Sequence, residues 1–319
     1  MEGRLGVLAV LCLLAACSSE DDGNRGAPTL RASSSVDLAN ASALWANSRR
    51  DTVYTASIRK GVWYQTGSYR MRSLVPDAAI VPIHGLPVIP HEKSENDFCS
   101  RYKGPPGAEA RSTRRLGWRT DYDASFGQIT FVNMFRHYEY VGASCYEDGA
   151  RFVLFDHGAP IAVIISGARA EGPIGSVEKM ESGALRLVNS LGDAPFGDLF
   201  LKGRDIEIRS LPAADTVCNG RHTVPNVFGM PIEKARRILG KAGWAPITAT
   251  PPVVVHDPDN STEVADDLDQ IDLYGRGIKE VTECNPMGFC TFGYQSGGAR
   301  LDLSTHGNVN DYGVDCADG

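Results

Sequence analysis

Apolar and polar positions alternate in short runs through the middle of the chain. "ALRLV" (184–188) and "RDIEIRS" (204–210) switch character at nearly every step, as strands do when one face meets a core and the other meets water. Other runs are more continuously apolar: "ARFVLF" (150–155), "APIAVIIS" (159–166) and much of "GQITFVNMFRHYEYVGASCY" (127–146). Turn residues divide these runs into consecutive hairpins. "ARFVLF" meets "APIAVIIS" through "DHG", "IGSVEKM" meets "ALRLVNS" through "ESG", and "FGDLFL" meets "RDIEIRS" through "KG". Each turn carries Gly where a tight reversal asks for positive φ. Upstream, "TVYTASI" and "GVWYQTGSYRMRSLV" are shorter β-branched and aromatic runs broken by Gly. No helical spacing competes between 51 and 210. The pattern predicts a mainly β domain over 51–210, an antiparallel meander forming a barrel or a sandwich.

The period changes at "VPNVFGMPIEKARRILGKAGW", residues 224–244. Ile232, Ala235, Leu239 and Ala242 recur at helical spacing and make one apolar stripe. Pro231 suits a helix start, where its missing N–H costs nothing. Glu233 near the start and Lys241 near the end complement the helix dipole. Gly243 is the expected stop. Val224-Pro225-Asn226-Val227, Gly229-Met230, Ala235, Leu239, Ala242 and Gly243 together resemble the PASTA domain, and "GGARLDLSTHG" (297–307) resembles that module's closing strand. The resemblance implies a small α+β domain over 216–319, one helix on a three-stranded sheet. It also implies association with peptidoglycan or with an envelope protein. "LPAADTVCNGRHT" (211–223) is the expected linker between the two domains.

The N-terminus has the pattern of an address. Arg4 precedes an apolar run, Leu5 to Ala16, too short for a bilayer span of about 20 residues and of signal-peptide length. "LAAC" then resembles a bacterial lipobox, which implies a signal peptide over 1–16, removal before Cys17 and diacylation of that cysteine. The alternative is an ordinary cleaved signal with Cys17 as a spare thiol. With Ser18 after the cysteine, the resemblance implies an outer-membrane lipoprotein facing the periplasm. Residues 17–50, poor in aromatics and rich in Ser, Ala, Asp and Asn, read as a flexible tether.

Cysteine usage fits that compartment. Cys12 leaves with the signal and Cys17 takes the lipid, so Cys99, Cys145, Cys218, Cys284, Cys290 and Cys316 remain. An even count in an exported chain reads as three disulfides. Cys99 and Cys145 lie in the first half and are paired here. Cys284 and Cys290 flank "NPMGF", a hairpin loop, which leaves Cys218 with Cys316. The chain has no CxxC or HxxxH spacing, so no metal site is expected.

Net charge is −7, and its distribution is uneven. Residues 216–319 hold 8 Lys plus Arg against 14 Asp plus Glu, while the rest holds 24 against 25. Such an acidic C-terminal third repels polyanions, and nucleic acid is not an expected partner.

Candidate chemistry is sparse. Asp257, Asp259 and Ser261 begin like a calcium loop, but Thr262 and Leu268 stand where that loop needs Gly and Glu. Arg101, Lys103, Arg111, Arg114, Arg115 and Arg119 form a basic run, read as a solvated loop and strand face. His84, His91, His137 and the Asp156-His157-Gly158 turn show no catalytic spacing, and GxSxG, HExxH and phosphate-loop motifs are missing. No catalytic residue and no cofactor is therefore assigned. The expected function is a non-enzymatic, envelope-anchored lipoprotein held to the membrane by its N-terminal lipid. The alternatives are a periplasmic hydrolase or a small-ligand-binding β-barrel with its site in the β-rich domain.

Overall fold

The Gly-bearing turns do reverse the chain. The computed structural model describes residues 60–90, 99, 105–141, 144–166, 174–189, 194–252 and 268–316, all within one compact unit, Val36–Gly319. Strands β1 (Tyr64–Thr66) and β2 (Tyr69–Ser73) form a first hairpin, and β3 (Ala78–Pro82) follows. Helix α1 (Ala108–Arg115) precedes β4 (Asp123–Phe126), β5 (Ile129–Met134), β6 (Tyr138–Val141) and β7 (Ser144–Glu147). The three hairpins of the meander come next. They are β8 (Arg151–Asp156) with β9 (Ala159–Ser166), β10 (Ile174–Lys179) with β11 (Leu185–Asn189), and β12 (Pro195–Lys202) with β13 (Asp205–Arg209).

These strands build two open sheets, ordered β1-β2-β13-β12-β11-β10 and β3-β9-β8-β5-β4, with β6 and β7 paired apart from both. Met71, Leu187 and Ile206 of the first share one core with Ile80, Phe131 and Phe152 of the second. The sheets thus lie in two layers and neither closes on itself, which fits the sandwich of the two expected forms and corrects the barrel. A second correction is that the pairing is not all antiparallel. The meander ends at β13, and β2 joins that edge in parallel, with Arg70 beside Asp205 and Arg72 beside Glu207.

The continuous apolar runs have a physical reason. The second sheet is covered on both faces, so Val132, Val153, Val163 and Ile165 also need a partner on the side away from the first sheet. They find it in Ala110 of α1 and in Trp118, whose indole N–H donates to the Pro87 carbonyl at 2.9 Å. Helix α1 corrects the expectation of an all-β region with a basic loop. Its start is held by the Asp123 carboxylate, which accepts the Gly107 N–H at 3.2 Å.

The C-terminal lobe starts with the hairpin β14 (Ala214–Val217) and β15 (His222–Pro225). Helix α2 (Ile232–Lys241) then buries Ile232, Ala235 and Leu239 of the stripe read from the sequence, while its fourth member, Ala242, caps the helix and is exposed, and Gly243 follows at φ 89°. After β16 (Ala245–Pro246) come α3 (Leu268–Gly275), β17 (Val281–Cys284), β18 (Phe289–Ser296), β19 (Ala299–His306) and β20 (Asn308–Asp315). The last four strands and β16 make a five-stranded sheet over a core of Leu239, Trp244, Phe292 and Leu303. Among the described residues this lobe therefore has two helices, the β14–β15 hairpin and a five-stranded sheet, where the resemblance implies one helix and three strands. The segment 211–223 carries β14 and the start of β15, so a boundary at 216 falls inside a strand.

Candidate functional site

Arg186 stands on the outer face of the first sheet because its neighbours Leu185 and Leu187 fill the core. The register of β10, β11 and β12 sets Glu178, Arg186 and Asp198 in one cross-strand row, where unlike charges side by side attract. The Arg186 guanidinium grips Asp198 through Nε at 3.0 Å and Nη2 at 3.2 Å. It also grips Asp215 of β14 through Nη1 at 2.6 Å and Nη2 at 2.7 Å. All three side chains are buried. Burial opposes the charge on Arg186, but the hydrogen bonds and charges of Asp215 and Asp198 outweigh it, and the guanidinium is held above its ordinary value.

Tyr312 of β20 completes the cluster. Its hydroxyl donates to the Asp215 carboxylate, and its ring stacks on Phe228 at 5.3 Å between centroids. The Arg186 guanidinium carbon lies 5.8 Å from the same Phe228 ring. Burial pushes the Tyr312 phenol above its ordinary value, and the bond to Asp215 adds to the rise. A positive group shared by two carboxylates, with a phenol closing the free side, is a satisfied buried network. It couples the β-rich lobe to the C-terminal lobe.

A second contact reinforces the first. In the turn between β14 and β15, Cys218, Asn219 and Gly220 stand at φ 60°, 57° and 81°. Their successive N–H groups make a small anion-binding concavity of the kind that oriented backbone amides form. The Glu181 carboxylate from the β10–β11 turn fills it, accepting the Asn219 N–H at 3.1 Å and the Gly220 N–H at 3.3 Å.

Beside this cluster an open groove of about 470 Å³ runs along the junction of the lobes. Val75 and Phe196 line it from the β-rich lobe, Leu211 from the connection, and Asn226 and Phe228 from the C-terminal lobe. Asn226 is fixed by its own loop: its side-chain oxygen accepts the Phe228 N–H and its amide donates to Pro212, both at 3.2 Å. A mostly apolar groove with a few oriented polar groups at a lobe junction is a common form of binding site.

Apart from Cys218, in the β14–β15 turn, the residues singled out from the sequence fall elsewhere. The sulfurs pair as Cys99–Cys145, Cys218–Cys316 and Cys284–Cys290, with Cα separations of 5.9, 5.5 and 4.0 Å. Cys17, Arg101, Lys103, His91 and residues 256–267 lie outside the described residues. Arg111, Arg114 and Arg115 belong to α1, and Arg114 donates to Thr120 Oγ1 at 2.8 Å and to the Thr120 carbonyl at 2.6 Å. The Arg119 guanidinium lies over the Tyr138 ring at 5.5 Å. Arg111, Arg114 and Arg119 of the basic run are therefore spent on local structure. His137 approaches Asp148 at 3.8 Å and His157 approaches Asp156 at 3.7 Å, in separate turns. Among the described residues no group of three or more His, Cys, Asp or Glu is placed to hold a metal ion. None of the five residues of the coupling cluster was singled out in the sequence. Strand alternation puts Arg186 and Asp198 on one face, but no local signal brings Asp215, Phe228 and Tyr312 to them.

Compared with known proteins, the chain matches no family model, no curated protein and no solved structure.

Proposed function

We propose that the chain is a non-enzymatic lipoprotein of the bacterial envelope, anchored through Cys17 in the outer membrane and facing the periplasm. Its C-terminal, PASTA-like lobe contacts peptidoglycan or an envelope protein. The observation that carries the reading is the state of the cysteines: all six that remain after the leader and the lipid site are in disulfides, the chemistry of an oxidising compartment. The Arg186–Asp215 pair fixes the proposed contact lobe to the lobe nearer the tether, so that force or position at one is felt at the other.

The test is co-sedimentation of the chain from residue 18 onward with purified sacculi. Retention is the expected result. A protein that stays in the supernatant at low and high salt ends the wall-contact reading and moves the search to cross-linking in the intact envelope. The anchor is tested separately: Cys17→Ser should release the protein from the membrane fraction.

A further inference from the structure

The outer face of the first sheet, covered by the C-terminal lobe at Arg186, is open at its other end. There the side chains of Arg70 and Arg209 are 52% and 53% exposed. Their carboxylate partners lie lower: Asp205 is 35% exposed and Glu207 6%. Arg70 holds Asp205 through Nε at 2.8 Å and Nη2 at 2.5 Å. Glu207 is shared by Arg72 and Arg209. The Arg72 and Arg70 guanidinium carbons stand 4.3 and 5.2 Å from the Trp63 ring. Lys202, in the same row as Asp205, is exposed. Four cations thus rise above two carboxylates, beside a half-exposed tryptophan.

We propose that this face rests on an anionic phospholipid surface. Guanidiniums present planar forks of donors that fit phosphate oxygens. Tryptophan suits the boundary between headgroups and acyl chains. The arrangement favours a lipid surface over a polysaccharide, because two guanidiniums already lie over the Trp63 ring that a sugar would stack on. The role is orientation: with the chain end lipidated, a basic face fixes which side of the β-rich lobe meets the bilayer. This surface is distinct from the wall contact proposed above and stands or falls separately.

The experiment is flotation of the unlipidated chain, from residue 18 onward, with phosphatidylcholine vesicles made with and without phosphatidylglycerol. Binding is expected only to the anionic vesicles and should weaken with salt. Gln at Arg70, Lys202 or Arg209 should weaken it about fivefold per site. Trp63→Ala breaks no ion pair and should also weaken it, which keeps the test valid should an arginine variant misfold. Equal binding to both vesicles, or to neither, overturns the proposal. So does unchanged vesicle binding in variants that lose retention on sacculi, which would make this face a wall contact.

Discussion

The Asp215 carboxylate lies 2.6 Å from Nη1 of Arg186, and the two residues belong to different lobes. Removing one member of a buried ion pair leaves an uncompensated charge, which costs about 3–5 kcal/mol. Arg186→Ala strands two carboxylates and should reduce stability by that amount in denaturant unfolding. Asp215→Asn leaves Asp198 on the guanidinium and should cost less. If the two variants cost the same, Asp198 contributes little and the lobes are coupled through Asp215 alone.

The disulfides should differ in what they contribute. Cys218–Cys316 spans 98 residues and Cys284–Cys290 spans 6. If the bridges act by restricting the unfolded chain, the long loop is worth about 4.7 kcal/mol and the short one about 2 kcal/mol. Unfolding of the two paired Cys→Ser variants checks this. A larger loss from the short bridge would mean that Cys284–Cys290 acts on the folded hairpin instead.

Acid should weaken the first sheet where β13 pairs with β2. Burial raises the Glu207 carboxyl, but hydrogen bonds from Arg209 and Arg72 outweigh it and hold it below its ordinary value of 4.5. A depressed carboxyl contributes stability at pH values above its unfolded value and loses it as pH falls through the folded one. The denaturant midpoint should therefore drop as pH falls below 4.5, and Glu207→Gln should flatten part of that drop. An acid limb of unchanged steepness in the variant would place the sensitivity in other carboxylates.

Much of the β-rich lobe was legible because its code is local. A hairpin is specified by two runs and the turn between them, so the pairs β8–β9, β10–β11 and β12–β13 follow from "DHG", "ESG" and "KG". Helix α2 was legible for the same reason, with Ile232, Ala235 and Leu239 on one face and Gly243 beyond. Helix α1 was not. It has eight residues and buries only Ala110 and Thr113, so "AEARSTRR" shows no stripe and reads as a basic loop. The unbroken apolar character of β8 and β9 did carry a signal that something covers their second face, but it did not name the cover. The coupling cluster was hidden by distance along the chain: Arg186 and Tyr312 meet over Asp215 because two lobes dock, and docking has no period.

Gly117, just after α1, shows how closely that cover is fitted. It adopts φ 97°, and a Cβ there would stand 2.1 Å from the Ile89 carbonyl oxygen. The backbones approach because the Ile89 N–H donates to the Leu116 carbonyl at 2.9 Å. Gly117→Ala meets both a left-handed backbone, which costs about 1 kcal/mol or more, and a collision with main chain that has little room to move. Its thermal midpoint should fall, with hydrogen exchange rising first around α1. Exchange rising uniformly instead would mean that α1 does not open separately from the sheet.

Alkali should act on the coupling cluster itself. The Tyr312 phenol is raised above its ordinary value of 10.0 by burial and by the Asp215 carboxylate it bonds. A raised phenol contributes stability that is fully present below its unfolded value and is lost as pH rises toward the folded one. The wild-type denaturant midpoint should therefore hold to about pH 10 and fall beyond it. Tyr312→Phe removes a hydrogen bond to a charged group, worth about 1.5–3 kcal/mol, so it should start lower at neutral pH. It has no phenol to ionise at this position, so its alkaline limb should be shallower. The Tyr294 phenol, raised by burial and by Glu280, keeps some slope in both proteins. Equal slopes would assign the alkaline limb to Tyr294 and to Tyr69 and Tyr122, which burial also raises, and would leave Tyr312 as a stacking partner of Phe228 whose proton plays no part in holding the lobes together.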